Sequence, residues 1–145
     1  MNASKPAVAV LATLDTKGRE ARFIADVLSR EGATPWIVDL SLRPHDVEGA
    51  DVTGAAVAAA AGVTWQALTE RSRQDAAAVV TEGAQTKLLE RFRAGEIAGA
   101  IGLGGANGTN LVCSIMRALP YLIPTVVVST VAGTAAVLTT TLGMR

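Results

Sequence analysis

The sequence predicts an α/β fold: a Rossmann-like open, mostly parallel sheet with helices on both faces. Three observations point there. A strand-like, a helix-like and a second strand-like stretch follow one another closely at the start, which suggests a right-handed βαβ unit. Half of the residues are hydrophobic but only 3% are aromatic. The core must therefore be built from Ala, Val, Leu and Ile, which suits helices packed closely on a buried parallel sheet. Finally, an apolar stretch ending at Ile101 runs into glycines and then a helix-like segment, Ile101-Gly102-Leu103-Gly104-Gly105-Ala106-Asn107-Gly108-Thr109. At 145 residues, the chain (1–145) fits one domain.

Along the chain, Met1–Lys5 reads as a loose start, and Ala7–Thr13, short, apolar and rich in small residues, as a buried first strand. Leu14–Gly18 is a polar loop. The helix after it carries Phe23, Ile24, Val27 and Leu28 on one face, with Gly32 at its expected C-terminal stop. Thr34–Leu40 is a second strand, and Ser41–Asp51, with Pro44 and alternating charge, an exposed connection. Val52–Ala61 is helical by propensity and stopped by Gly62, and Thr64 caps a short helix through Thr69. A longer helix covers Gln74–Arg93, with Ala77, Val80, Ala84, Leu88 and Phe92 along its apolar stripe. Gly83 weakens that helix by about 1 kcal/mol relative to alanine. Ile97–Ile101 is a third strand, Thr109–Ala118 a helix, and Thr125–Ser129 a fourth strand after Pro120 and Pro124.

Charge and composition exclude several functions. Thirteen basic residues balance thirteen acidic ones, so bulk electrostatics favours neither nucleic acid nor an anionic membrane. After Glu96 there is no acidic side chain, only Arg117 and Arg145, and the glycine segment lies in that acid-free stretch. Cys113 is the only cysteine, which rules out an internal disulfide and a thiolate-rich metal site. The N-terminus lacks the pattern of a signal peptide, and Tyr121–Val128 is too short to span a bilayer. A cytoplasmic protein is the expectation.

In open α/β sheets, ligands gather at the carboxyl ends of the strands, near a switch in strand order. Three polar segments leave strands at that edge: Leu14–Gly18, Gly102–Thr109 and Ser129–Gly133. The glycine segment is the most informative. Glycine lets a ligand approach the backbone without meeting a Cβ, and the helix beyond it presents free amides and the positive end of its dipole. It is not a Walker A loop, because Thr109 stands where lysine is required. Nor is it the dinucleotide fingerprint, because three residues rather than two separate Gly104 from Gly108. A distinct phosphate cradle with Thr109 lending its hydroxyl competes with a tight turn that needs glycine only for conformation.

The other candidates carry similar alternatives. Asp15 and Thr16 suit capping, but Asp15 could hold Mg²⁺ through water and Lys17 could neutralise a phosphate. Ser129 and Thr130 either bond a ligand or close their strand. Asp39 either accepts from a ribose hydroxyl or caps a turn. His45 reads as a solvated side chain, Cys113 as a small buried apolar group, and Trp65, Arg71 and Arg73 as an anchor and a solvated helix. There is no Ser/His/Asp set, metal cluster or acid–base pair, so no catalytic residue is assigned. A binding site is legible where a reaction is not.

Several motifs, taken in order, resemble a known family. They are Leu11-Ala12-Thr13-Leu14-Asp15-Thr16-Lys17-Gly18, Val38-Asp39, Ala58-Ala59-Ala60-Ala61-Gly62-Val63, Ile101–Gly105, Gly108-Thr109, Met116–Pro120 and Val128-Ser129-Thr130-Val131-Ala132. Over about residues 7–132 the chain is similar to the Tm-one-like ATP-binding domain family, which includes a plant inhibitor of tobamovirus replication. The resemblance implies a Rossmann-like subdomain that binds ATP, with Mg²⁺ as its companion ion, and in longer relatives a second subdomain comes after it. Family members place a small residue where Asn107 stands and continue with Ser-Gly after Ala132. Residues 133–145 therefore read as a divergent end of a truncated subdomain, favouring self-association or docking of the missing part.

The expectation is an ATP-binding module. Asp15, Thr16, Lys17, Gly104, Gly105, Asn107, Gly108, Thr109, Ser129 and Thr130 would form its site, with nucleotide as partner. An enzyme acting on a phosphorylated or acyl substrate through Asp15 or Lys17, and an interaction subdomain, are the alternatives.

Overall fold

The computed structural model describes Lys5, residues 7–46 and residues 48–132. The expected loose start lies mostly outside the described residues, and the expected divergent end at 133–145 lies wholly outside them. Four strands, β1 (Ala7–Ala12), β2 (Thr34–Asp39), β3 (Ile97–Gly104) and β4 (Thr125–Ser129), form one parallel sheet in the order β2-β1-β3-β4. The helices are α1 (Leu14–Arg30), α2 (Gly54–Ala60), α3 (Trp65–Thr69), α4 (Arg73–Arg93) and α5 (Ala106–Met116).

Alternation along β1 assigns the two faces. Val10 and Ala12 pack with Ala21 and Ala25 of α1. Ala9 and Leu11 join the larger cluster, with Val57, Leu68, Val80, Leu88, Val112 and Ile115 from the other helices. Helices thus cover both faces, as the small apolar composition requires. The chain leaves β1 toward β2 on one side and later returns to β3 on the other, so the switch in strand order lies between β1 and β3. The connections leaving these two strands open the crevice where ligands collect.

The α1 face differs from the expectation. Its sheet-facing residues are Gly18, Ala21 and Ala25, with Ile24 and Leu28 partly buried, whereas Phe23 is 65% and Val27 37% exposed. Small residues let the helix axis approach the sheet, and that closeness decided the rotation over apolar bulk. Gly32, at φ +86, ends the helix and lets the Ala33 amide donate to the Leu28 carbonyl, 2.9 Å.

Gly83 has a packing reason that outweighs its low helix propensity. A Cβ there would fall inside the Val57 carbonyl, so α4 and α2 cross with backbones in contact. Val52, expected as the first residue of the helix, lies outside α2 and bridges Val38 in parallel. Thr53 caps α2 in its stead, accepting from the Ala56 amide at 3.2 Å. Thr64 caps α3 as expected.

The largest correction concerns the glycine segment. β3 runs on through Gly104 and α5 begins at Ala106, so the expected loop contracts to a single hinge residue, Gly105. A Cβ on Gly102 would lie 2.7 Å from Val112, and one on Gly104 would collide with the backbone of Gly108 and Thr109. Both glycines are there because α5 lies flat against its own strand.

Candidate functional site

Two helix N-termini meet at the carboxyl edge of β1 and β3. From β1, Thr13 leads into a first helical turn interrupted at Lys17 (φ −122, ψ 18), where the sequence suggested a loop. The Thr13 and Thr16 hydroxyls lie 2.9 Å apart. The Lys17 ammonium pairs with Glu20 at 3.0 Å and holds that carboxyl below the usual carboxylate range. Such an exposed pair exchanges readily for a better anion.

Behind this turn Asp39 closes β2. It is fully buried, and its Oδ1 accepts from the Ser41 hydroxyl (2.5 Å), the Ser41 amide (2.9 Å) and the Leu14 amide (3.2 Å). Ser41 also lies 3.2 Å from Asp15 Oδ1, and the Asp15 amide donates to Ser41 Oγ at 3.1 Å. The capping reading of Asp39 therefore prevails, because a buried carboxylate committed to the start of α1 is out of reach of a ribose. Asp39 Oδ2 has no hydrogen-bond partner among the described residues and lies 3.3 Å from His45 Nε2. His45 is thus packed inward, with its side chain 14% exposed. The sequence placed it in solvent and the whole connection on the surface, yet Ser41 is completely buried.

From β3, Gly105 precedes α5 in an extended conformation and offers no side-chain cap. The Thr109 amide donates to the Gly105 carbonyl at 2.8 Å. The amides of Ala106, Asn107 and Gly108 belong to the first turn, where no intrahelical acceptor exists. A Cβ on Gly105 would meet only Thr130 Oγ1, at 3.7 Å, and one on Gly108 only the Leu103 carbonyl, also at 3.7 Å. These two positions are open where Gly102 and Gly104 are filled.

A cavity of about 480 Å³ lies between the two termini, within the range of small-molecule sites. Asp15, Thr16, Lys17, Gly105, Asn107 and Gly108 line it. Gly104, Thr109, Ser129 and Thr130 are not part of the lining. Thr109 is 1% exposed and its hydroxyl is 2.7 Å from that of Ser129, while the Thr130 amide donates to the Gly104 carbonyl. These four residues form the support beneath the glycine turn.

Arg43, Arg71 and Arg73 also line the cavity, although the last two read as part of a solvated helix in the sequence. The signal was available, because a helix that leads into a parallel strand must begin at the carboxyl edge, and Arg73 opens α4 just before β3. With Lys17 they set four cations against one acid, Asp15. Cys113, half-buried on α5, is outside the cavity, and burial pushes its thiol up while Arg117 partly offsets this. Among the described residues there is no cluster of three or more metal-binding side chains, and no helix is long and apolar enough to cross a membrane.

The sequence matches the N-terminal domain of the uncharacterised protein family UPF0261 over residues 6–141. It is 35% identical to a UPF0261 protein of Brucella melitensis over 130 residues, covering 89% of this chain and 31% of that protein. It is 32% identical to a UPF0261 protein of Clostridium tetani over 126 residues, covering 86% and 31%. A shorter match, 43% identical over 60 residues, is to the ToMV susceptible protein tm-1(GCR26) of tomato, Solanum lycopersicum, covering 41% of this chain and 8% of that protein. The chain spans about a third of the length of the UPF0261 proteins it matches.

Proposed function

The chain belongs to the UPF0261 family, as its N-terminal domain, and on that premise we propose that it is a nucleotide-binding module taking ATP in the cavity between α1 and α5. One observation carries the reading: the uncapped first turn of α5 opens onto a cavity with four cationic side chains and one carboxylate. Amides of a helix N-terminus and the local dipole favour an anion. The absence of Cβ atoms at Gly105 and Gly108 lets oxygens approach the backbone. Lys17 and Thr16 supply a charge and a hydroxyl from the facing turn. Thr109, Ser129, Thr130 and Gly104 hold the cradle from below.

Mg²⁺ would accompany the phosphates with little help from the protein. Asp15 is the only carboxylate in the lining among the described residues, and its Oδ1 is already shared with Ser41. Most of the cation's ligands would be phosphate oxygens and water, a normal arrangement for this ion.

Calorimetric titration with ATP, with and without Mg²⁺, tests the reading. Absence of heat and of thermal shift at millimolar ligand would refute it. Ala106→Pro sharpens the test, because proline at the first helical position removes one amide donor at no cost to the helix. It should weaken binding while Tm holds. Gly105→Val, at an extended residue with room for a Cβ, should obstruct the ligand and spare the fold.

A second reading rests on β4. Val126, Val127 and Val128 are 53, 39 and 52% exposed, and Tyr121 and Leu122 before them are nearly fully so. Apolar side chains on both sides of a strand that ends the sheet among the described residues suit docking of a second copy, or of another domain such as the longer relatives could supply. Concentration-dependent dimerisation in sedimentation would support the first partner, and a monomer at high concentration would oppose it.

A further inference from the structure

We propose that Arg43, Arg71 and Arg73 form a second anion subsite, so that the ligand carries another oxyanion group (phosphate or carboxylate) remote from the phosphates at the glycine turn. The inference rests on the nucleotide reading of the cavity and goes beyond ATP, whose charge lies at one end, to a phosphorylated molecule charged at both ends that should bind more tightly.

Three guanidinium groups share this cavity, and none has a hydrogen-bond or ion-pair partner among the described residues. The acids flanking Arg71 and Arg73 are turned elsewhere. Glu70 accepts from Gln66 at 3.2 Å and Asp75 from the Ser72 hydroxyl at 2.7 Å, and neither lines the cavity. Like charges that share a cavity with a single carboxylate, Asp15, repel, and an oxyanion relieves that repulsion. Guanidinium is the group whose planar fork matches a carboxylate or phosphate with paired hydrogen bonds.

Helix geometry separates this cluster from the glycine turn. α4 leads into β3 and α5 leads out of it, so in a parallel sheet both begin at the carboxyl edge and run side by side. Gln85 Nε2 donates to the Ser114 carbonyl at 2.9 Å, which brings those two positions level. At 1.5 Å per residue, Arg73 stands about 18 Å ahead of that level and Ala106 about 12 Å. Arg73 therefore overhangs the glycine turn by about 6 Å, and packed helix axes lie 8–10 Å apart. The two anion sites are on the order of 10 Å from each other. The lining also has an apolar part: Leu42 adjoins Arg43, Ala76 and Ala77 lie one turn after Arg73, and Leu111 lies one turn after Gly108. That wall suits an uncharged middle such as a nucleoside.

The test compares AMP with adenosine 3′,5′-bisphosphate, by calorimetry, on the wild-type chain and on Arg71→Gln/Arg73→Gln. The wild type should bind the bisphosphate at least tenfold more tightly. The double variant should reduce that preference to less than threefold, with bisphosphate affinity falling by a larger factor than AMP affinity. No preference in the wild type, a preference that survives in the variant, or an equal loss of both ligands would overturn the second subsite. If neither nucleotide binds the wild type at millimolar concentration, the ATP titration judges the nucleotide reading separately, and inorganic phosphate decides the subsite. Two saturable phosphate sites, one lost in the arginine variant and the other weakened in Ala106→Pro, would uphold it. A single site or none would overturn it.

Discussion

The hydroxyls of Thr109 and Ser129 lie 2.7 Å apart, and the bond they share ties the first turn of α5 to the end of β4. The Ser129 hydroxyl also accepts from the Val131 amide at 3.1 Å. Both groups are therefore spent within the protein. Their bond sets the level at which the amides of Ala106, Asn107 and Gly108 stand at the mouth of the sheet.

The glycines of this turn should separate by substitution. Gly104→Ala places a Cβ against the Gly108 and Thr109 backbone and should cost at least 2 to 3 kcal/mol, roughly the cost of overpacking where backbone must yield. Gly108→Ala has room and lies within α5, so it should be neutral or stabilising by up to about 1 kcal/mol. Urea denaturation of the two variants measures the difference. Equal stability would show that α5 does not rest on β3 as described.

Gly83→Ala reads the crossing of α4 and α2. Helix propensity alone predicts a gain of about 1 kcal/mol, and collision with the Val57 carbonyl predicts a loss of about 3 kcal/mol. The steric effect should win, because both partners are backbone and cannot rotate away. A rise in Tm would contradict the close approach.

Asp39 should tolerate loss of charge better than loss of its acceptor. Asp39→Asn keeps an oxygen for the Ser41 and Leu14 amides and should cost about 1 kcal/mol or less. Asp39→Ala leaves those donors without their acceptor and should cost about 3 kcal/mol. The same urea series measures both. Equal losses would mean that the carboxylate charge, and not the hydrogen bonds to the start of α1, holds this connection.

Cys113 gives a pH dependence with a defined sign. Burial raises its thiol, so the folded state retains the proton to higher pH than the unfolded state does. Its contribution is fully present below the ordinary cysteine range and is lost as pH rises through the folded value. Cys113→Ser should therefore flatten the alkaline end of the stability profile relative to the wild type. In the native protein, thiol labelling should be slow at neutral pH and accelerate only above the ordinary cysteine range.

The sequence by itself determined the fold class, the positions of the strands and the caps at Thr64 and Gly32. These arise from local chemistry, such as apolar runs of strand length, hydroxyls before helices and a glycine able to adopt positive φ. It also marked Asp15, Thr16, Lys17, Gly105, Asn107 and Gly108, which do share one cavity, because a parallel sheet gathers at its carboxyl edge the segments that leave its strands. Only tertiary packing decided which glycines are open, since Gly104 and Gly105 are alike in sequence and differ in what a Cβ would meet. The same holds for the outward turn of Phe23, the burial of His45 against Asp39 and the convergence of Arg43 with Arg71 and Arg73. Each depends on the distance between elements far apart in the chain, and no local pattern encodes that distance.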